Sequence, residues 1–172
     1  DKLLKKAGFD KVQLPVTIEQ TGASYYPKVG KVKTFGSGKL IQVIPGTNTI
    51  LSALDSAKGG DILILQNEGE YLITKEIKIY KPITIKAKAG DKPIIRSSRA
   101  GFFEIENEGS LELINLKLDG AESPDQSGNH VIGTSKYSMN KNYKLFIRDC
   151  AVTNLDVNYS FDFFKIAKHT MA

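Results

Sequence analysis

The sequence predicts an all-β chain wound as a parallel β-helix, with a short capping helix near its N-terminal end. The first observation is a repeat. The stretch 110-SLELINLKLDG-120 is rewritten as 144-KLFIRDCAVTN-154, placing Leu111, Leu113, Leu116 and Leu118 over Leu145, Ile147, Cys150 and Val152 at a constant offset of 34 residues. The second is a break of step inside each copy. A step of two keeps a side chain on one face of a strand, but the step of three from Leu113 to Leu116, and from Ile147 to Cys150, cannot continue one flat strand. The chain turns a corner there, at Asn115 and again at Asp149, with apolar residues inside on both arms. The third is that the pattern extends upstream and between the copies. Ile83 and Ile85 precede Leu111 and Leu113 by 28, while Phe103, Ile132 and Phe164 form a second ladder at spacings of 29 and 32. Coils of varying length whose strands stack in parallel satisfy all three.

Residues 1–46 lack a clear period and carry turn chemistry at Gly22, Pro27, Gly30, Gly36, Gly38 and Gly46. They read as an extended lead-in with β-like pieces at Val12–Ile18 and Lys39–Ile44. Residues 47–172 form the coils. In 47-TNTILSALDSAKGGD-61, Thr47 or Asn48 can cap a helix at about residues 48–58 whose apolar face is Ile50, Leu51, Leu54 and Ala57, before Gly59 and Gly60 end it. An open first coil would expose its interior, so this helix is expected to plug it.

Short β-runs follow at Ile62–Leu65, Tyr71–Thr74, Ile77–Tyr80, Ile83–Ala87, Pro93–Ser97, Phe102–Glu106, Leu111–Leu118, Val131–Thr134, Tyr143–Val152 and Phe163–Ile166. The sequence then stops at 168-KHTMA-172 with no second plug, so either further coils or another cover is expected at that end.

At 172 residues with 41% hydrophobic content, there is one domain's worth of core. No apolar run approaches the roughly 18 residues of a membrane span, so the segment reads as soluble or tethered by something outside it. It opens at Asp1 without methionine, as a processed or excised piece of an exported precursor would. A lone cysteine, Cys150, excludes an internal disulfide framework and a cysteine-rich zinc site, and its apolar flanks mark a small core residue. The net charge of +5 suits a polyanionic partner or simply a solvated basic surface. A nucleic-acid role would rest on that charge alone and is not expected, and no glycine-rich phosphate loop supports nucleotide chemistry.

The segments 59-GGDILILQNEGEY-71, 82-PITIKAKAGDKPIIR-96, 102-FFEIENEGSLELINLKLDG-120 and 163-FFKI-166 resemble the opening coils of chondroitinase B-like and alginate-type polysaccharide lyases and related Bacteroidota β-helix proteins, over roughly residues 47–172. The resemblance implies a right-handed parallel β-helix and β-elimination of an acidic polysaccharide. It implies too a calcium ion countering the uronate charge, a lysine that removes the proton and an arginine that assists the leaving oxygen. In that family these residues lie on later coils, and none is matched to a position here; catalytic residues are unknown and no metal ligand is assigned.

Elimination beside a carboxylate needs a base near the acidic C–H and a cation for the developing charge. The densest set of suitable side chains is Arg148, Tyr159, Lys165, Lys168 and His169, which we take as candidate substrate-binding residues; keeping a β-ladder soluble is the competing role for such lysines. Lys75, Lys78, Lys81, Lys86 and Lys88 form a second basic series, expected to pair with Glu104, Glu106, Glu108 and Glu112 on the next coil. The loop 119-DGAESPDQSGNH-130 holds the oxygen donors Asp119, Glu122, Asp125 and Asn129, at spacings that match no EF-hand. His130 and His169 stand too far apart in sequence for a metal pair or a Ser/His/Asp arrangement. The expected function is therefore that of an exported protein, secreted, periplasmic or on the outer cell surface, resembling the N-terminal part of a polysaccharide lyase. The alternative is a non-catalytic glycan-binding or surface-assembly protein on the same scaffold.

Overall fold

The computed structural model describes residues 35–134 and 143–166. The β-like piece at Val12–Ile18 and the candidates Lys168 and His169 lie outside them.

Among the described residues the chain is mostly β, with a single α-helix. Fourteen strands sort into three parallel sheets, and successive strands from β3 onward visit the three in rotation. The first sheet stacks β1 (Leu40–Val43), β3 (Ile62–Leu65), β6 (Pro82–Lys86), β9 (Ser110–Ile114) and β12 (Lys144–Arg148). The second stacks β2 (Gly46–Thr47), β4 (Glu70–Ile73), β7 (Ile94–Ser97), β10 (Lys117–Asp119) and β13 (Ala151–Thr153). The third stacks β5 (Lys78–Ile79), β8 (Gly101–Ile105), β11 (Asn129–Thr134) and β14 (Phe161–Lys165).

The register reproduces the sequence ladders. Leu111 pairs with Leu145 and Leu113 with Ile147; Ile83 pairs with Leu111 and Ile85 with Leu113; Ile132 sits between Phe103 and Phe164. The runs at 111–118 and 143–152 are each two strands on different sheets, because the step of three is a real corner. Asn115 and Asp149 sit there with φ of 57° and 52°, the left-handed region that Asn and Asp enter at least cost. Asn115 Nδ2 donates to Ala87 O at 3.2 Å, tying its corner to the coil below.

A second type of corner follows 106-ENEG-109, where Glu108 has φ 65° and a Cβ on Gly109 would lie 1.8 Å from Ile79 O. The glycine permits that close approach of neighbouring coils.

The core is the set of inward columns, with Leu63, Ile85, Leu111, Leu113, Leu116, Leu118 and Ile132 fully buried. Tyr71 is buried among them and spends its hydroxyl on Val43 O, at 2.9 Å, and Gln66 N, at 2.8 Å. Helix α1 (Thr49–Ser56) buries Ile50 and Leu54 against this core; Leu51 is half-buried. Asn48 holds the N-cap position without capping through its side chain. Instead its Oδ1 accepts from Thr74 N at 2.9 Å and Lys75 N at 3.2 Å, and its Nδ2 donates to Thr74 Oγ1 at 2.7 Å. Left-handed backbone at Asn48, φ 57°, turns its amide toward the adjacent coil.

Parallel pairing begins inside the expected lead-in, since β1 and β2 join the first two sheets. Just before β1, Phe35 stacks on Phe146 of β12 with ring centroids 5.3 Å apart, and Gly36 lies against Ile62 and Thr84. This segment crosses the outer side of the first sheet.

Candidate functional site

Outward side chains form columns across the rungs, and among the described residues every sheet carries polar clusters. On the first sheet Glu112, wholly buried, accepts from Thr84 Oγ1 at 2.8 Å and from Arg148 Nη2 at 3.1 Å. Arg148 Nε is buried without a partner.

On the second sheet Arg96 contacts Glu70 at 3.0 Å and Asp119 at 3.5 Å, and Lys117 contacts Asp119 at 3.7 Å. Asp119 also accepts from Asn154 Nδ2 at 2.7 Å and Ala121 N at 3.1 Å. Burial pushes its pKa up, but these hydrogen bonds and the Arg96 and Lys117 charges outweigh that and hold the carboxyl below its ordinary range.

The third sheet holds a histidine in a prepared seat. Phe102 and Phe103, like Val131 and Ile132, are consecutive buried residues, so this sheet also breaks step. His130 lies over Gly101 and Gly133, where any Cβ would collide with its ring. Its Nδ1 bonds Gly128 O at 2.9 Å and its Nε2 bonds Glu104 Oε1. With both partners acting as acceptors, the two ring nitrogens favour the doubly protonated imidazole. Burial alone would lower its pKa; the bonds to Glu104 and Gly128, with the Glu104 charge, reverse this and raise it. Lys165 Nζ donates to the same Gly128 carbonyl at 3.3 Å.

The predicted site residues are thus divided. Arg148 belongs to the first sheet and Lys165 to the third, while Tyr159 is exposed in the connection between β13 and β14. The fold brings Lys165 to His130 rather than to Arg148, because β12 and β14 are separate faces of one coil. Of the basic series, Lys78 meets Glu106 at 3.4 Å, as charge pairing between coils predicts; Lys86 instead stands in register with Ile64 and Ile114. The pairing of His130 with Glu104 was missed in the sequence, although the Phe103–Ile132 ladder already sets Glu104 beside Gly133.

The acidic oxygen donors of the 119–130 loop do not converge on one point among the described residues. Asp119 faces two cations and Asp125 accepts from Asn158 N at 2.9 Å, while Asn129 Oδ1 is buried without a hydrogen-bond partner. Among the described residues no group of three or more His, Cys, Asp or Glu side chains converges on a metal position. Cys150 is half-buried at the core margin, its thiol pushed up by burial, which opposes thiolate chemistry.

No family model and no curated protein matches the chain. Solved structures do. The chain is similar to a PL6 family alginate lyase. That lyase, AlyGC, aligns at 40% identity with a TM-score of 0.76, covering 92% of this chain and 22% of the lyase. A mutant of AlyGC in which an arginine is replaced by alanine gives the same figures. This chain therefore spans 22% of the length of the alginate lyase it matches. Identity at this level across nearly the whole segment supports a polysaccharide-lyase-like protein. Each of the clusters above ties charges on one rung to a neighbouring rung, as Arg148 to Glu112, Arg96 to Glu70 and Asp119, and His130 to Glu104.

Proposed function

We propose that the chain is part of an exported polysaccharide lyase, of alginate type or chondroitinase B-like, that cleaves a uronate-containing glycan by β-elimination. The observation that carries this reading is the 40% identity to an alginate lyase over 92% of the chain. In such a reaction a base takes the proton beside the uronate carboxylate, a cation steadies the enolate-like charge, and the glycosidic C–O bond breaks as the carbon–carbon double bond forms. The leaving oxygen takes up a proton. Export follows from the substrate, a polymer met outside the cell.

We propose further that the three sheets wind as a right-handed parallel β-helix, the hand that parallel crossovers almost always adopt, and that the coil of β12, β13 and β14 is covered by another coil. Leu145, Ile147, Cys150, Val152 and Phe164 are only partly buried, whereas Leu111, Leu113, Leu116, Leu118 and Ile132 beneath them are fully buried. An apolar rim of that kind calls for the next rung.

The test is to incubate the longest native form of the protein with alginate, chondroitin sulfate and dermatan sulfate, with and without calcium, and follow ultraviolet absorbance of unsaturated uronate ends. Rising absorbance on one of these polymers is expected. The other reading, a non-catalytic glycan-binding protein, draws on the commitment of the described ion pairs to the ladder; measurable affinity with no absorbance change on any polymer would establish it and end the lyase reading.

A further inference from the structure

The outward column of the first sheet runs Gln42, Ile64, Lys86, Ile114, Arg148, one residue per rung. From Ile64 onward apolar and cationic side chains alternate along it at about 4.8 Å per rung. Where it meets the corner at Asn115, a groove of about 320 Å³ opens, lined by Ile64, Lys86, Ala87, Lys88, Ile114 and Asn115. Two other surface grooves have the same volume but a different charge. One sets Arg96 against Glu70 and Glu122, and the other sets Lys78 and Lys81 against Asp55 and Glu76. Only the Asn115 groove among these three is lined by cations with no carboxylate. Lys86 and Lys88 form no ion pair among the described residues, unlike Lys78, Arg96, Lys117 and Arg148.

We propose that this groove is a binding site for the acidic sugars of a polysaccharide. A uronate ring has a carboxylate edge and an apolar C–H face, and the groove offers a complement to each: ammonium groups at Lys86 and Lys88, and an aliphatic floor from Ile64 and Ile114. The half-buried Asn115 adds amide hydrogen bonding at the wall. Arg148, one rung beyond Ile114, is held by Glu112, so the groove's free positive charge is that of Lys86 and Lys88. The proposal takes its ligand class from the acidic-polysaccharide reading above.

The test is calorimetric titration of the full chain with an oligouronate and with a neutral glucan oligomer of the same length. The oligouronate is expected to bind and the glucan not, with affinity falling as salt is raised. The double variant Lys86→Glu/Lys88→Glu should weaken oligouronate binding by about tenfold or more, since reversal replaces two attractions with two repulsions. Lys86→Gln/Lys88→Gln should give a smaller loss. Lys75→Glu, matched in charge to Lys86→Gln/Lys88→Gln but at an exposed site away from the groove, should change it little. Equal losses in Lys75→Glu and in Lys86→Gln/Lys88→Gln would reduce the effect to net charge and overturn the site, as would glucan binding as tightly as oligouronate. Release of unsaturated uronate by the longest native form is scored separately. Groove binding without it removes the lyase reading and leaves the site standing; its presence with unaltered binding in the double variant does the reverse.

Discussion

Replacing Glu104 with Gln should change how the protein's stability depends on pH while leaving the third sheet intact. Glu104 and His130 expose 18% and 12% of their side chains, so their hydrogen bond is largely shielded from water. Bonds to charged partners contribute about 1.5–3 kcal/mol, and a neutral amide acceptor retains part of that, leaving a loss of about 1–2 kcal/mol. The sign follows from the raised pKa of His130. A folded-state value above the unfolded one means that the contribution is fully present below about pH 6.5 and is lost as pH rises through the folded value. The other groups around the ring are Lys165, which opposes the raised value, and Asp162, its register partner on β14. With His169 changed to Gln in both proteins, so that one imidazole titrates, urea unfolding between about pH 5.5 and 8.5 should show the parent losing stability and Glu104→Gln staying nearly flat. NMR titration of His130 should give a midpoint above the ordinary histidine value in the parent and a lower one in the variant. Parallel stability profiles, or a parent midpoint at or below the ordinary value, would refute the charged-imidazole argument.

Leu113→Ala, in a fully buried column, should cost about 2–5 kcal/mol, and Ile147→Ala, one rung on and half-buried, distinctly less; denaturant titration orders them. At the corner, Asn115→Gly should be close to neutral, while Asn115→Val should cost about 1–2 kcal/mol or more by calorimetry, because a β-branched residue is forced to φ 57°. Asp119→Asn should destabilise by about 2 kcal/mol near neutral pH. Its lowered folded-state pKa contributes stability above the unfolded value near 4 that is lost as pH falls through the folded value, so parent and variant unfolding curves should converge in acid.

What was legible in the sequence is what one periodicity dictates. The Leu111 and Leu145 ladders, their offset and the corners at Asn115 and Asp149 all reappear as register and left-handed φ, because a break of step has one geometric solution when both arms stay apolar inside. Strand β2, two residues long, has no room for a pattern and was absorbed into the lead-in. Asn48 carried a helix-cap signal, yet its amide serves Thr74, a partner 26 residues away that only the stacking of coils provides. The candidate cluster Arg148, Tyr159 and Lys165 was assembled from closeness in sequence, whereas a coil sends residues 17 apart, Arg148 and Lys165, to different sheets.

That division bears on how such a scaffold can handle a charged polymer. A parallel ladder repeats each outward position about every 4.8 Å, so a cation on one rung stands beside whatever the next rung presents. Where a carboxylate of a neighbouring rung lies within reach, as Glu106 does for Lys78 and as Glu112, two residues from the register partner Ile114, does for Arg148, the charge holds coils together. Where none is left within reach, as for Lys86 beside Ile114, the cation forms no ion pair among the described residues. The inward columns set the register, and the register together with the reach of each side chain decides which cations remain available to a ligand. A substitution such as Ile114→Glu would give Lys86 a partner on the next rung without touching either lysine. It should therefore abolish oligouronate binding at the groove while lowering net charge by only one, and a binding loss no larger than that of Lys75→Glu would show that the groove has no special role.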